Sequence, residues 1–393
     1  MAKPLNVAIL NWGSPSNSGV GELFLNAMVE SYPSTVTRVA LTSDVDAATR
    51  DRWRSGEALL LPMTMRPRPA LATADFMRFN KRTSPGAADA AASYLADSDI
   101  ELLWIVVNHP VVVPFALQLI GRVKMPYIAA AWDEVAYQCR LVRLDGKLRR
   151  RITADAQSLF DGAIGFSAIS TQMRDKYLLN RPGTPSRVMR YVPPVELHQE
   201  PRCDLGRSDR STQLLLAGSL YAVSEWNALV RAIGNSRTQG KELALTHVGS
   251  RMRGVHLPSW ISTLDNRPIG EVSSLLNAAD VGYLPYWRQG WKREYTRTAF
   301  PTKLASYVAS GVPVLFHGPA DCAAAQEVRD LRLGVVCDSN RAADLLAAID
   351  QITEPEFVKR FRQARKNALD GPLDPRQLQR DFKWLVDKAF DAE

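Results

Sequence analysis

The chain has 393 residues, 46% hydrophobic and 23% charged, with a formal net charge of +8. That length suits two domains of ordinary size, and the balance is globular rather than disordered or fibrous. The most apolar stretch, 100–120, is broken by Asn108-His109-Pro110 and Pro114, so a strand, a loop and a helix fit it better than a membrane span.

The opening residues, Met1-Ala-Lys-Pro-Leu-Asn-Val-Ala-Ile-Leu10, enter an apolar strand directly and lack a signal-peptide core, so a cytoplasmic setting is expected. Strands are predicted near 5–11, 36–42, 58–62, 101–107, 126–131, 163–166 and 188–192. Helices are predicted near 20–31, 86–96, 111–121, 148–158 and 170–179. This alternation argues for a parallel sheet flanked by helices. Between the first strand and helix lies Asn11-Trp-Gly-Ser-Pro-Ser-Asn-Ser-Gly-Val-Gly-Glu22. Its Gly13, Gly19 and Gly21 allow close backbone approach to a ligand at the carboxyl edge of the sheet. Neither GxGxxG nor Gly-Lys-Ser/Thr is present, which argues against a nicotinamide dehydrogenase and a P-loop enzyme.

Further along, Tyr127-Ile-Ala-Ala-Ala131 ends in Trp132-Asp133-Glu134, two carboxylates at another strand edge; either could serve as general base, and the alternative is a solvated pair or a cap for the next helix. His109 occupies the equivalent edge of the preceding strand. His247 and His317 read as loop or core histidines, and Asp97-Ser-Asp99, placed before its strand, reads as a turn. The half 1–195 is the more basic, with 23 Lys and Arg against 17 Asp and Glu. Two stretches, Met63 to Arg68 with Phe76 to Arg82 and Cys139 to Arg151, interleave cations with Met, Phe or Leu. Such a pattern suits either an anionic membrane surface or a solvated face, and no nucleic-acid module accompanies it. Cys139, Cys203, Cys322 and Cys337 show neither a CxxC pair nor metal spacing, so reduced, mostly buried thiols are expected.

The chain turns polar at 196–211, the predicted linker, and a second α/β series follows. Its strands fall near 213–217, 244–248, 281–284, 312–316 and 334–336. Its helices fall near 224–234, 271–278, 301–310, 320–327 and 341–352, with two amphipathic helices, 355–369 and 375–390, after them. The segment 285–303 sets Arg288, Lys292, Arg293, Arg297 and Lys303 among Tyr286, Trp287, Trp291 and Tyr295. Cations there would serve phosphates or a carboxylated ligand, and the rings would stack on a base or sugar. Pro301 is expected at the first helical position and Gly311 at a left-handed C-cap. Lys303 then sits unfavourably at the positive end of the helix dipole unless an anion binds there.

Ala279-Asp-Val-Gly-Tyr-Leu-Pro-Tyr286 followed by Phe300-Pro-Thr-Lys-Leu-Ala-Ser-Tyr-Val-Ala-Ser-Gly-Val-Pro-Val314 resembles the nucleotide-sugar half of GT-B glycosyltransferases, near glycosyltransferase family 4. Leu216-Ala-Gly-Ser-Leu-Tyr221 is similar to the glycine loop of that half. Phe160 to Ser167 and Tyr191-Val-Pro-Pro194 resemble the end of the N-terminal domain and the crossover. The resemblance implies an α/β GT-B fold, two Rossmann-like domains facing across a cleft: an acceptor domain over 1–195, the linker 196–211, a nucleotide-sugar domain over 212–370, and 371–393 as a helix returning to the first domain. It implies a donor site of Gly218, Ser219, Arg267, Glu271, Tyr286, Tyr295, Thr302 and Lys303, and an acceptor site of Gly19, Gly21, His109 and Glu134. No metal or other cofactor is implied, the nucleotide sugar being a substrate. The paired glutamates of retaining members correspond here to Thr298 and Ser306. The single Lys in Phe-Pro-Thr-Lys is similar to inverting bacterial exopolysaccharide glucuronosyltransferases, which implies Asp133 as base and Lys303 as stabiliser of the leaving diphosphate. The expected activity is transfer from a UDP-sugar, such as a uronic acid donor, to a glycan or lipid-linked acceptor at the inner membrane face. A nucleotide-sugar epimerase and a catalytically degenerate binding subunit share this architecture.

Overall fold

The computed structural model describes residues 3–13, 19–42, 58–62, 71–202, 211–238, 242–250, 255, 257–288 and 290–390. Residues 14–18, the stretch 63–70 with the Met63–Arg68 cations, and 203–210 of the expected linker, with Cys203, lie outside the described residues. The chain divides into two compact units, Met1–Met189 with the chain from Leu378 onward, and Arg190–Gln377.

The first unit holds a parallel sheet of seven strands in the order β3-β2-β1-β4-β5-β6-β7. They are β1 (Val7–Trp12), β2 (Val36–Thr42), β3 (Ala58–Pro62), β4 (Leu102–Val107), β5 (Tyr127–Ala131), β6 (Gly165–Ala168) and β7 (Ser186–Val188). The uninterrupted apolar runs Leu-Leu-Trp-Ile-Val-Val in β4 and Tyr-Ile-Ala-Ala-Ala in β5 are buried along their whole length, as strands covered on both faces require. The strand order reverses direction between β1 and β4, the place where open α/β sheets leave a crevice at their carboxyl ends. The helix Gln377–Phe390 belongs to this unit: Phe382 packs on Trp104 and Tyr32 at centroid distances of 4.8 and 5.0 Å, and Arg187 lies over Trp384 and pairs with Asp381.

The second unit repeats the plan with six parallel strands, β10-β9-β8-β11-β12-β13. These are β8 (Thr212–Ala217), β9 (Leu243–Val248), β10 (Ser262–Leu264), β11 (Val281–Pro285), β12 (Val314–His317) and β13 (Gly334–Cys337). Its reversal lies between β8 and β11. Those two strands pair at Leu214–Val281 and Leu215–Gly282. Beyond that point the Tyr307 hydroxyl bridges them, accepting from the Ala217 N–H at 3.0 Å and donating to the Tyr283 carbonyl at 3.1 Å. Gly282 makes room for this ring, since a Cβ there would lie 2.5 Å from Tyr307 Cδ2.

Several local expectations need correction. The helices Ala72–Arg78, Val135–Leu141 and Lys292–Thr298 and the strand β10 went unpredicted; each is three to seven residues long, too short for a periodic signal. The strand expected at 188–192 is instead Ser186–Val188, just before the chain leaves the first unit after Met189. Residues 195–202 are stitched to the second unit rather than spanning as a linker. Ser273 Oγ donates to the Leu197 carbonyl at 2.8 Å, Asn277 to the Glu200 carbonyl at 2.7 Å, and buried Arg365 to the Gln199 carbonyl at 2.7 Å.

Candidate active site

In the second unit the carboxyl ends of β8, β9 and β11 meet the start of the helix Thr302–Ala309. Pro301 is its N-cap with extended geometry (φ −78°, ψ 127°), so the helix begins at Thr302 rather than at Pro301 as expected. Proline has no side-chain acceptor, and no side-chain cap hydrogen bond closes this end. The first-turn N–H groups therefore point outward with the positive end of the dipole. Gly311 takes φ +77° just after the helix, as the C-cap reading required.

Lys303 reaches from this turn to the loop after β8. Its ammonium donates to the Ser219 carbonyl at 2.7 Å and lies 4.4 Å from the Tyr221 ring centroid. Gly218 has φ +86°, and a Cβ there would stand 3.0 Å from Lys303 Cε, so glycine is needed for backbone angle and for space. Gly249, at the end of β9 with φ +133°, packs its backbone against Gly218, where a Cβ would come within 2.8 Å. The Gly218 carbonyl meets His247 Nε2 at 3.0 Å. His247 and Gly249 thus set the shape of the glycine loop; neither figured as a site residue in the sequence, because their signal is one of packing across strands. Burial lowers Lys303 from the usual lysine range to about 7, since a desolvated ammonium without an anion prefers to lose its proton. The other nearby helix start is occupied: buried Glu225, in the first turn of Val223–Thr238, accepts from its own N–H and from the Arg288 N–H at 3.2 Å.

The aromatic–basic segment is more tied up than its sequence suggested. Arg288 pairs with Asp338 at 2.9 Å, and Arg293 and Arg297 both pair with Asp321. Lys292 instead lies over Trp287, 4.4 Å from its centroid, and Trp291, 5.6 Å away. Tyr286 is buried among Tyr221, Trp287 and Phe316, while half-buried Tyr295 meets Trp287 edge-on at 5.9 Å. Arg267 and Glu271 face each other at 3.8 Å on an open pocket of about 490 Å³ that also includes Leu264, Gly270 and Ser274. Gly249 bonds through its N–H to the Leu264 carbonyl at 2.9 Å, which links that pocket to the glycine loop. Thr302, in the first turn, accepts the Ser306 hydroxyl through its carbonyl at 3.2 Å. The Thr298 hydroxyl likewise turns back to Tyr295, so the two positions matched to paired glutamates carry short side chains bonded within their own helices.

In the first unit, Gly19 (φ +93°) begins the helix Val20–Val29 without a side-chain cap. Gly21 faces Trp132, whose ring edge would be 3.2 Å from an added Cβ. His109 stacks on Trp12, with centroids 4.3 Å apart, and burial pushes it down to about 4. Glu134, expected as an acceptor contact, is buried at the N-cap position of the helix Val135–Leu141, makes no side-chain cap bond there and pairs with Lys176. Asp133 beside it keeps partial exposure; its charge helps hold the Tyr137 hydroxyl up at about 12, after burial, the larger cause. Asp97 and Asp99 lie in a turn, as expected. His317 is fully buried between Tyr283, Ser339 and Asn340. Cys139, Cys322 and Cys337 are buried free thiols. In the described parts of the basic stretches, Phe76, Phe79, Leu144 and Leu148 belong to the core, while Arg78, Lys81, Arg82, Arg140, Arg143 and Lys147 are exposed. Among the described residues no helix is long and apolar enough to cross a membrane.

Two Rossmann-like units with these strand orders define the GT-B fold. Sucrose-phosphate synthase from Thermosynechococcus elongatus is similar over 99% of this chain and 100% of its own, with a TM-score of 0.70 and 13% identity. Anabaena HepE, solved in complex with UDP-glucose, is similar over 99% and 100%, at 0.64 and 12%. An E. coli protein described as trehalose-6-phosphate, bound with UDP-2-fluoro glucose, is similar over 98% and 98%, at 0.65 and 10%. No protein-family model and no curated protein matches the sequence.

Proposed function

We propose that the protein is a glycosyltransferase that takes a sugar from a nucleoside-diphosphate sugar, with UDP as the favoured carrier. The observation that carries this reading is the half-buried Lys303 side chain, its ammonium bonded to the Ser219 carbonyl beside an uncapped helix start and the Gly218–Ser219 loop. A diphosphate placed there would restore the charge that burial disfavours and accept the outward N–H groups. That neighbours of the same fold were solved with UDP-glucose and UDP-2-fluoro glucose supports UDP as carrier. The base would lie toward the Arg267–Glu271 pocket and the sugar toward Tyr221, Trp287 and Tyr295.

Transfer would invert the anomeric centre. Asp133 would remove the proton of an acceptor hydroxyl, the oxygen would attack the anomeric carbon, and the nucleoside diphosphate would depart with its bonding electrons. Lys303 and the helix N–H groups would hold the departing charge, a contribution on the order of 100–1000-fold in rate. Thr298 and Ser306 in place of a glutamate pair favour inversion over retention. A uronic acid donor would rest its carboxylate on Lys292, because Arg288, Arg293 and Arg297 already hold aspartates.

The acceptor would be a glycan or lipid-linked sugar in bacterial polysaccharide synthesis, met at an anionic membrane surface. Exposed Arg78, Lys81, Arg82, Arg140, Arg143 and Lys147 flank Leu71 and Leu141, which are 46% and 54% exposed. The Asp145 N–H bonds to Thr73 Oγ1 at 3.0 Å and brings the two segments together. Sedimentation with phosphatidylglycerol vesicles, absent with phosphatidylcholine, tests that surface; equal recovery with both removes it. The donor reading is tested by calorimetric titration of UDP, ADP and GDP into wild type and Lys303→Ala. UDP binding lost in the variant supports it, and equal binding in the two proteins refutes it.

A further inference from the structure

The carboxyl ends of β1, β4 and β5 carry two aromatic pairs that the donor chemistry does not use. Trp12, the last residue of β1, stacks on His109 with the planes 19° apart. Asn108 fixes it from both sides, accepting the Trp12 N–H at 2.9 Å and donating to the Trp12 carbonyl at 2.7 Å. After β5, Trp132 leans on Phe24 with centroids 4.7 Å apart, over the space left by Gly21. Trp12, His109 and Trp132 all keep part of their surface exposed, and Asp133 is the residue next to Trp132.

The charge of this edge selects among ligands. Arg38 is held by Glu22 at 2.8 Å, and Lys176 by buried Glu134. His109 is neutral at ordinary pH. An anionic ligand would therefore meet Asp133 with both of those cations already committed, a like-charge arrangement that disfavours it. An uncharged pyranose fits better. Its C–H face covers an indole without losing hydrogen bonds, and its hydroxyls find a neutral imidazole and a carboxylate at the rim.

We propose that Trp12, His109 and Trp132 form a subsite for an uncharged sugar ring of the acceptor, with Asp133 at its edge. The assignment of that ring as acceptor rests on the transferase reading; the sugar site itself does not.

The test is saturation-transfer NMR on the full chain with saturating UDP and no sugar donor, so that charged probes cannot report from the Lys303 site. The probes are a panel of neutral methyl glycosides and disaccharides, methyl glucuronide, and farnesyl diphosphate as an anionic isoprenoid. Neutral sugars should bind at least about tenfold more tightly than either charged probe. Trp12→Ala and Trp132→Ala should each weaken them about tenfold, with Trp12→Phe intermediate. UDP affinity, measured in parallel, should stay within about twofold in all three variants, which also shows that the donor unit is folded. A charged probe that binds as tightly as the neutral ones, no neutral sugar bound, or sugar affinity unchanged in both alanine variants overturns the proposal. Sugar binding without UDP binding in wild type would leave the subsite standing and remove the transferase reading.

Discussion

UDP affinity should fall steeply with pH above neutrality, and Lys303 sets the midpoint. The unliganded protein holds this side chain at about 7 because burial disfavours its charge. A bound diphosphate supplies the missing anion and keeps the proton on, so binding takes up a proton wherever the free protein has lost it. With the ordinary linkage expression, the apparent Kd rises about 25-fold between pH 7.5 and 9, approaching tenfold per pH unit. The phosphate itself finishes ionising near about 6, below this window. His109 and His317, both pushed down to about 4, and Cys139 and Cys322, pushed up to about 12 and 11, stay silent across it. The stability of the unliganded protein should move the other way. Between pH 7 and the lysine value near 10.4 the unfolded chain binds more protons, so this residue's contribution rises with pH. The assay is isothermal titration of UDP at four pH values in buffers of matched ionic strength. Lys303→Arg keeps its charge throughout, so its affinity, though reduced by crowding at Gly218, should vary less than about twofold. An affinity independent of pH in wild type, or the same slope in Lys303→Arg, would refute the reasoning.

Three further outcomes are expected. Asp133→Asn should lower transfer by about 100–10,000-fold with UDP affinity preserved, measured by initial rates and titration; an unchanged rate removes Asp133 as base. Gly282→Ala would drive a methyl into the Tyr307 ring that bridges β8 and β11. It should destabilise the protein by about 1–3 kcal/mol in urea unfolding and weaken UDP binding as the Thr302–Ala309 helix shifts; stability and UDP binding both left unchanged would contradict the positioning role of Tyr307. Phe382→Ala should destabilise the first unit by about 3–5 kcal/mol, because its ring fills the space between Trp104 and Tyr32. A loss under 1 kcal/mol would show that the C-terminal helix is not part of that core.

The sheets were legible because parallel strands covered on both faces leave apolar runs such as 102–107 and 281–285, and their alternation with amphipathic helices fixes the class. The geometry around Lys303 was legible for a related reason: Gly218, Lys303 and Gly311 are each odd in their local setting, and each oddity has a geometric cause. What sequence could not show was pairing. Arg288, Arg293 and Arg297 read as open cations, yet Asp338 and Asp321 lie 24 to 50 positions away in the chain and close on them only in the fold. Glu134 looked like a ligand contact for the same reason, its partner Lys176 being distant in sequence. The polar run expected to be a linker is anchored in part, since its carbonyls are used by Ser273, Asn277 and Arg365, whose roles appear only once the helices pack.

Sugar transfer from a UDP-sugar is measurable in a proton NMR time course of the full chain. UDP-glucose and UDP-glucuronic acid are each supplied with and without a neutral glycoside acceptor. UDP should be released only when acceptor is present, with a new anomeric signal of inverted configuration. A new UDP-sugar epimer formed without acceptor, or UDP-sugars left intact under every condition, would contradict that transfer.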